Sequence, residues 1–201
     1  MKKYYWLLLV GILILINGCI PSIYPLYSDD TIAFEESLVG EWWEKDGGIT
    51  DTFGQTTYPL WRFEKGKNGN YYNLIHTPTD EAPSIYEVHL VQLGNQYYFD
   101  FYPDGDQTSL DGLDDFLQIH LFPVHTFAKV EIEEDQVVFH MFDTDWLQNL
   151  IEQRKIRIRH EETNDMILLS AGTKELQQFV EKYGDDPSAY IDPIVLLRDS
   201  K

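Results

Sequence analysis

Two histidines that lie close together in the sequence are the first candidates for chemistry. His120 and His125 flank Pro123, which could bend the backbone so that both rings face one metal ion. A zinc site needs three or four protein ligands, and this pair has no clear third ligand. We therefore predict no transition-metal site here, because a histidine at a strand end that is bonded to the backbone is the simpler interpretation.

An acidic segment from Asp104 to Asp115 has a second spacing that could bind a metal. Oxygen-bearing side chains fall at its first, third, fifth and twelfth positions, as they do in a calcium-binding loop. Ser109 replaces the glycine that such a loop needs at its sixth position, and Asp115 is shorter than the usual bidentate glutamate. We expect a solvated acidic loop, and a domain that folds without a metal or another cofactor.

The motifs of common hydrolases are absent from the sequence. It contains neither a Gly-x-Ser-x-Gly elbow nor a His-Glu-x-x-His motif. His89 is predicted to lie opposite Asp100 on neighbouring strands, and a solvated ion pair is the simplest interpretation of these two residues. We therefore assign no catalytic residue, and a hydrolase on the loops around His120 and His125 stays open as a third functional hypothesis.

The overall charge restricts the partners of the protein. The 201 residues include 15 Lys and Arg and 34 Asp and Glu, which gives a formal net charge of −19. Such a field repels phosphate backbones, so nucleic acid is not an expected partner. The hydrophobic content of 43% suits one globular domain, and a single cysteine excludes an internal disulfide framework.

The N-terminus has the layout of a signal peptide. Lys2 and Lys3 precede an apolar run from Tyr4 to Ile16, which is short for a membrane-spanning helix. The run leads into the sequence Ile16-Asn17-Gly18-Cys19, which resembles the lipobox of bacterial lipoproteins. The resemblance predicts a lipoprotein signal peptide over residues 1–18. An uncleaved membrane anchor and a buried structural cysteine are the alternatives.

The lipobox resemblance implies cleavage before Cys19 and a diacylglycerol on its sulfur. Removal of Lys2 and Lys3, with no acidic residue, changes the formal charge from −19 to −21. Acyl chains rather than basic side chains would therefore attach the protein to the membrane. We predict a lipidated N-terminal segment over residues 19–37, in which Ile20 to Tyr27 is an extended tether. The expected location is the bacterial cell envelope, at the outer rather than the inner membrane, because Ile20 is not an acidic retention signal.

From Leu38 onward, short aromatic and β-branched runs alternate with turn residues, as is typical of an antiparallel β domain. The dipeptides at positions 68–69 and 94–95, Asn-Gly and Gly-Asn, predict two-residue hairpin turns, the first of type I′. The hairpins predict these facing residues: Phe63 with Leu74, Trp61 with His76, Leu90 with Phe99, Val88 with Phe101, and Val130 with Phe139.

Two helices are predicted late in the chain. Asp143 is the expected N-cap of the first, because an acidic cap precedes apolar residues at helical spacing. Thr173 is the expected cap of the second, which runs to about Tyr183 and stops at Gly184.

Sequential hairpins and two late helices favour a mainly β fold: an antiparallel up-and-down barrel, or a strongly curled sheet, of 8–10 strands over residues 38–201. Gly40-Glu41-Trp42 in the first strand resembles the Gly-x-Trp signature of lipocalins and related calycin barrels. The resemblance implies that Trp42 packs at the closed end of the barrel beneath an arginine of the last strand. Arg198 is the matching candidate.

Aromatic side chains on the predicted inward faces could form either a packed core or the wall of an apolar pocket. A barrel of about eight strands can hold one small molecule. The candidate ligand-binding residues are Trp61, Tyr72, His76, Tyr97 and Phe99.

Two main functional hypotheses remain after the sequence has been considered. The first is a non-enzymatic envelope lipoprotein whose barrel binds an apolar or amphipathic small ligand, or a partner protein. The second is a structural or assembly accessory whose barrel is filled by its own side chains. The whole chain also resembles acidic bacterial lipoproteins, a resemblance that implies no particular activity.

Overall fold

The computed structural model describes residues 19–104, 121–163 and 166–198, which form a mainly β fold. The predicted signal peptide, His120 and the acidic loop after Asp104 lie outside these residues. The strands are β1 (Pro21–Ser22), β2 (Ile32–Ala33), β3 (Gly40–Glu44), β4 (Ile49–Thr50), β5 (Thr56–Thr57), β6 (Leu60–Lys65), β7 (Tyr72–Thr77), β8 (Ser84–Leu93), β9 (Gln96–Pro103), β10 (His125–Ile132), β11 (Gln136–Met141), β12 (His160–Thr163), β13 (Met166–Leu169) and β14 (Ile194–Leu197). The helices are α1 (Thr144–Glu152) and α2 (Thr173–Tyr183), with short 3-10 helices at Glu36–Leu38 and Pro187–Ala189.

Eight antiparallel strands close into a barrel. β3 pairs with β6, and β6 to β11 then follow one another as antiparallel neighbours. β14 completes the ring, because it pairs with β11 on one side and with β3 on the other. The prediction of a mainly β, antiparallel barrel with two late helices is confirmed.

The predicted hairpin registers are confirmed at both turns. Val88 faces Phe101 across β8 and β9, and Gly94, with a φ of 61°, opens the two-residue turn between these strands. Phe63 faces Leu74 across β6 and β7, as predicted. The prediction of a type I′ turn between β6 and β7 is wrong, however. That turn needs positive φ at both central residues, and here Gly69 has a φ of 70° while Asn68 does not have a positive φ.

One end of the barrel is closed by an arginine that lies on a tryptophan. Trp42 is fully buried, and its indole Nε1 donates a hydrogen bond of 2.9 Å to the Leu38 carbonyl. The Arg198 guanidinium carbon lies 4.2 Å from the centre of the Trp42 ring, which is the contact that the calycin resemblance implied. The same guanidinium donates to the carbonyls of Ser37 and Glu134, so it joins three parts of this end.

Gly40 is required beside this contact for two reasons. Its φ is +129°, a conformation that side chains rarely permit. A Cβ atom at this position would also lie 3.2 Å from Nη1 of Arg198. The glycine therefore allows the guanidinium to lie close to the start of β3.

A second hydrophobic core lies outside the barrel, between its wall and the two helices. Leu147 of α1 and Phe179 of α2 contribute to it, together with outward-facing Tyr98 and Phe127 of the barrel. Both Ile20 and Leu26, in the segment that was predicted to be a tether, are buried in this core. The tether interpretation of residues 20–27 is therefore wrong, because burial of these apolar side chains holds the segment against the protein.

The two helices begin at different kinds of cap. Asp143 caps α1 as predicted, since its Oδ1 accepts hydrogen bonds from the amides of Asp145 and Trp146 at 2.8 and 3.3 Å. The cap of α2 is Gly172 and not Thr173. The Thr173 hydroxyl instead donates a hydrogen bond of 2.8 Å to the Pro25 carbonyl, so it binds the N-terminal segment to the helix.

We expect Trp42→Ala to lower the free energy of unfolding by about 3–5 kcal/mol, because it empties the closed end and removes the ring beneath Arg198. Chemical denaturation followed by circular dichroism measures this change. Trp43→Ala is the matched control, since Trp43 is the next residue of β3, lies on the other face and is only half-buried. Equal effects of the two substitutions would contradict a special role for Trp42.

Candidate functional site

The barrel interior is packed with aromatic rings. The Phe63 and Phe99 ring centres are 5.8 Å apart, and those of Phe99 and Phe139 are 6.2 Å apart. Phe101 lies 5.6 Å from Phe99, and Trp61 lies 5.2 Å from Phe139. Such spacings are those of rings in direct contact, so these side chains fill the part of the barrel that they occupy.

The five candidate ligand-binding residues separate into two groups. Tyr72 and Phe99 have an exposed fraction of 0%, so no space large enough for a water molecule adjoins them. The Tyr72 hydroxyl is also fully engaged, because it accepts from the Glu35 amide at 2.7 Å and donates to the Glu35 carbonyl at 3.1 Å. Burial raises the pKa of Tyr72 to about 12. Trp61, His76 and Tyr97 are half-buried.

Two of the half-buried residues lie together at the ends of β6 and β7 that are away from their connecting turn, a place that we call the mouth. The Trp61 and His76 ring centres are 4.4 Å apart, as their predicted cross-strand pairing requires. The Trp61 indole Nε1 lies 3.3 Å from a carboxylate oxygen of Glu44 and donates to it. Burial lowers the pKa of His76. A ligand could therefore contact an aromatic pair at the mouth without entering the filled interior.

A buried acid–histidine pair lies on the outer wall of the barrel. Asp100 is fully buried, and its Oδ1 lies 2.7 Å from Nδ1 of His125, whose side chain is almost fully buried. His89 faces Asp100 in the strand register, as predicted, but its own close acidic neighbour is Glu87 at 3.6 Å. The prediction of a solvated ion pair between His89 and Asp100 is wrong, because the outer core covers this wall.

The second oxygen of Asp100 binds the N-terminal segment. Oδ2 accepts a hydrogen bond from the Leu26 amide, 74 residues away in sequence. The next residue, Tyr27, stacks on His89 with ring centres 3.7 Å apart and an interplanar angle of 18°. One carboxylate therefore joins β9, β10 and the segment that follows Cys19.

Burial dominates the titration of this cluster. It raises the pKa of Asp100, while the hydrogen bonds from His125 and from the backbone of Leu26 and Tyr27 oppose the shift. It also lowers the pKa of His89 to about 4, with a further contribution from nearby His125. The His89 ring is therefore neutral at physiological pH and stacks on Tyr27 as an uncharged group.

The arrangement of these groups favours a structural role over catalysis. Ser22 is the hydroxyl residue that pairs with His125 in the strand register. Its Oγ donates to the Tyr24 carbonyl at 2.8 Å and accepts from the Tyr24 amide at 3.3 Å, so it is used within its own turn. Within residues 19–104, 121–163 and 166–198, no three His, Cys, Asp or Glu side chains converge in a way that could hold a metal ion.

Sequence reasoning found Asp100 and His125 separately but did not bring them together. Asp100 was paired with His89 because that register follows from a local turn. The pairing of β9 with β10 brings Thr126 opposite Phe101, and so places His125 near Asp100. The useful signal was the isolated carboxylate in the apolar run from Tyr97 to Tyr102, where a charged residue needs a partner if both faces are buried.

The protein is a closed eight-stranded antiparallel barrel with an arginine–tryptophan contact at one end. The N-terminal segment packs on the outer wall of this barrel. No protein-family model, curated protein or solved structure matches the chain. In the part of the chain that the structure describes, neither helix has the length and apolar character needed to cross a bilayer.

We expect Asp100→Ala to lower the free energy of unfolding by about 3–5 kcal/mol, because it leaves His125 and the Leu26 amide buried without their partner. Denaturant titration measures the loss, and hydrogen exchange at Leu26 should become faster. Asp100→Asn is the matched control: it keeps the shape and one acceptor oxygen, so its effect should be smaller. A stability unchanged in both variants would show that the pair does not hold the N-terminal segment.

Proposed function

We propose that the protein is a lipid-anchored protein of the bacterial cell envelope that acts without catalysis, as a structural or assembly accessory with a filled barrel. The proposal combines the lipobox at Cys19 with the calycin-like closed end. Its expected partners are the membrane, through acyl chains, and a protein of the envelope. The outer membrane is the proposed location, because Ile20 after the lipidated position is not an acidic retention signal.

The packing of the barrel interior favours an accessory protein over a carrier of small molecules. Five large side chains of the inner core are at most 1% exposed: Trp42, Phe63, Tyr72, Phe99 and Phe139. A carrier needs a cavity of several hundred Å³ that encloses most of its ligand. The rings that contact one another leave no such space among them, which favours a barrel that serves as a scaffold. A cavity of about 430 Å³ lies beside them, where Tyr97, Val130 and Ile132 adjoin Ser37 and Glu134.

The position of Cys19 supports the anchoring part of the proposal. Cys19 is exposed, while Ile20 beside it is only 2% exposed and belongs to the outer core. Acyl chains on the Cys19 sulfur would therefore project from the surface of the protein, and the chain behind them would already be folded. This geometry is compatible with lipidation and requires no rearrangement of the barrel.

The half-buried aromatic pair at the mouth favours a second function, binding of a small amphipathic molecule there. Trp61 and His76 present ring surface, and Glu44 supplies a carboxylate beside the indole. Such a ligand would occupy a shallow site at the mouth and leave Tyr72 and Phe99 untouched. This alternative keeps the anchor and the envelope location and differs only in the partner.

We expect Cys19→Ala to abolish metabolic labelling with a radioactive fatty acid and to block processing, because the sulfur is the proposed acceptor of the diacylglycerol. Gel mobility and fluorography of cell extracts measure both effects. Ser22→Ala is the matched control, since it changes a nearby residue but keeps the thiol. Labelling that persists in the Cys19→Ala variant would exclude lipidation at this position.

We expect native mass spectrometry of the Cys19→Ala protein to give the mass of the chain alone, because a filled interior retains no small molecule. A co-purified ligand would contradict the filled barrel and favour a carrier. Repeating the measurement with Trp61→Ala then locates such a ligand: loss of the added mass assigns it to the mouth, and retention assigns it elsewhere.

A further inference from the structure

A short basic segment stands out in a strongly acidic protein. Residues 154–159 have the sequence Arg-Lys-Ile-Arg-Ile-Arg, which contains four of the 15 basic residues of the chain and no acidic residue. All four basic side chains are exposed, whereas Ile158 between them is buried in the outer core. The isoleucines therefore fix the segment to the protein while the cations face solvent.

Three of these four cations have no acidic partner among the described residues. Arg159 pairs with Glu175 of α2, with its Nε 2.9 Å from a carboxylate oxygen. Arg154, Lys155 and Arg157 form no salt bridge with any of the residues that the structure describes. These three cations therefore lie unpaired on a protein whose formal charge is −19.

The basic segment borders a cleft against α2 that has an apolar floor and a positive rim. The cleft has a volume of about 210 Å³ and lies between the segment and α2. Ile156, Phe179 and Tyr183 supply apolar surface, and the rim is formed by Lys155, Arg157 and Lys182. Glu175, the acidic residue in its lining, is occupied by Arg159. This combination suits a negatively charged group attached to an apolar body.

The N-terminal segment and the last residue of the basic segment lie on the two sides of β13. Ser22 of β1 pairs with Leu169 of β13, and the Ile23 amide donates to the Leu169 carbonyl at 2.9 Å. On the other side of β13, the Ser170 amide donates to the Arg159 carbonyl at 3.0 Å. Neighbouring strands are about 4.8 Å apart, so the backbones of Ser22 and Arg159, on the two sides of β13, are separated by about 10 Å.

We infer that this basic cleft binds the phosphate head groups of anionic lipids in the membrane to which the protein is attached. The inference rests on the proposed lipid anchor, because acyl chains on Cys19 would hold the protein beside the bilayer, within reach of its head groups. An otherwise acidic protein would be repelled by that surface, and the cleft supplies a local attraction that orients it. The apolar floor then faces the acyl region beneath the head groups.

The test uses the acylated full chain reconstituted into two kinds of vesicle, one of phosphatidylcholine alone and one with equal parts of phosphatidylcholine and phosphatidylglycerol. A membrane-impermeant amine reagent labels exposed lysines, which mass spectrometry then quantifies. Labelling of Lys155 and Lys182 should fall about fivefold or more in the anionic vesicles, the factor that one basic side chain contributes at such a surface. Lys67, exposed in the distant β6–β7 turn, is the internal reference.

Charge reversal supplies the matched comparison. Arg157→Glu should restore labelling of both lysines in anionic vesicles, whereas Lys45→Glu, an equal charge change on another exposed residue, should not. Density-gradient flotation of the same samples tests the anchor separately. If the protein floats with both kinds of vesicle but its lysines are labelled equally in both, the lipid contact is overturned and the anchor stands. Failure to float with either vesicle would overturn the anchor and the contact with it. Protection seen only in isolated cell envelopes would assign the cleft to a protein partner and overturn the lipid contact.

Discussion

The architecture depends on the return of the last strand to the first strand of the barrel. β14 pairs with both β11 and β3, so it converts a curled sheet into a ring without exposed edges. The same return brings Arg198 onto Trp42, with 4.2 Å between the guanidinium and the ring centre. The pairing of β14 therefore both closes the barrel and brings Arg198 onto Trp42. A chain in which β14 did not pair would lose both features.

Local patterns predicted the barrel well because most of its contacts join strands that are neighbours in sequence. The Gly94-Asn95 turn determined the whole β8–β9 register, and the acidic residue before α1 determined its start. The Gly-x-Trp pattern even anticipated the contact of Arg198 with Trp42, which lies at the opposite end of the chain. Each of these features is controlled by a few adjacent residues or by a resemblance to known barrels.

The errors concern the outer wall, where the deciding contacts are distant in sequence. The alternation of side chains along β9 assigns Asp100 to the outer face of the barrel, but it does not show which residues cover that face. A solvated Asp100 was therefore the expectation. Residues 20–27 and α2 cover this face. Neither a turn motif nor the hydrophobic periodicity of the sequence predicts where they pack. Thr173 was mistaken for a cap for the same reason, since its hydroxyl binds Pro25, which is 148 residues away.

The insertion of β1 between β10 and β13 has a mechanical consequence. A force applied at Cys19 along the axis of β1 would load the strand in shear. In that direction its hydrogen bonds, the Asp100 contact with the Leu26 amide and the Thr173 contact with Pro25 resist together instead of opening one after another. Tension at the N-terminal end of the described chain would therefore be distributed over the barrel wall and α2.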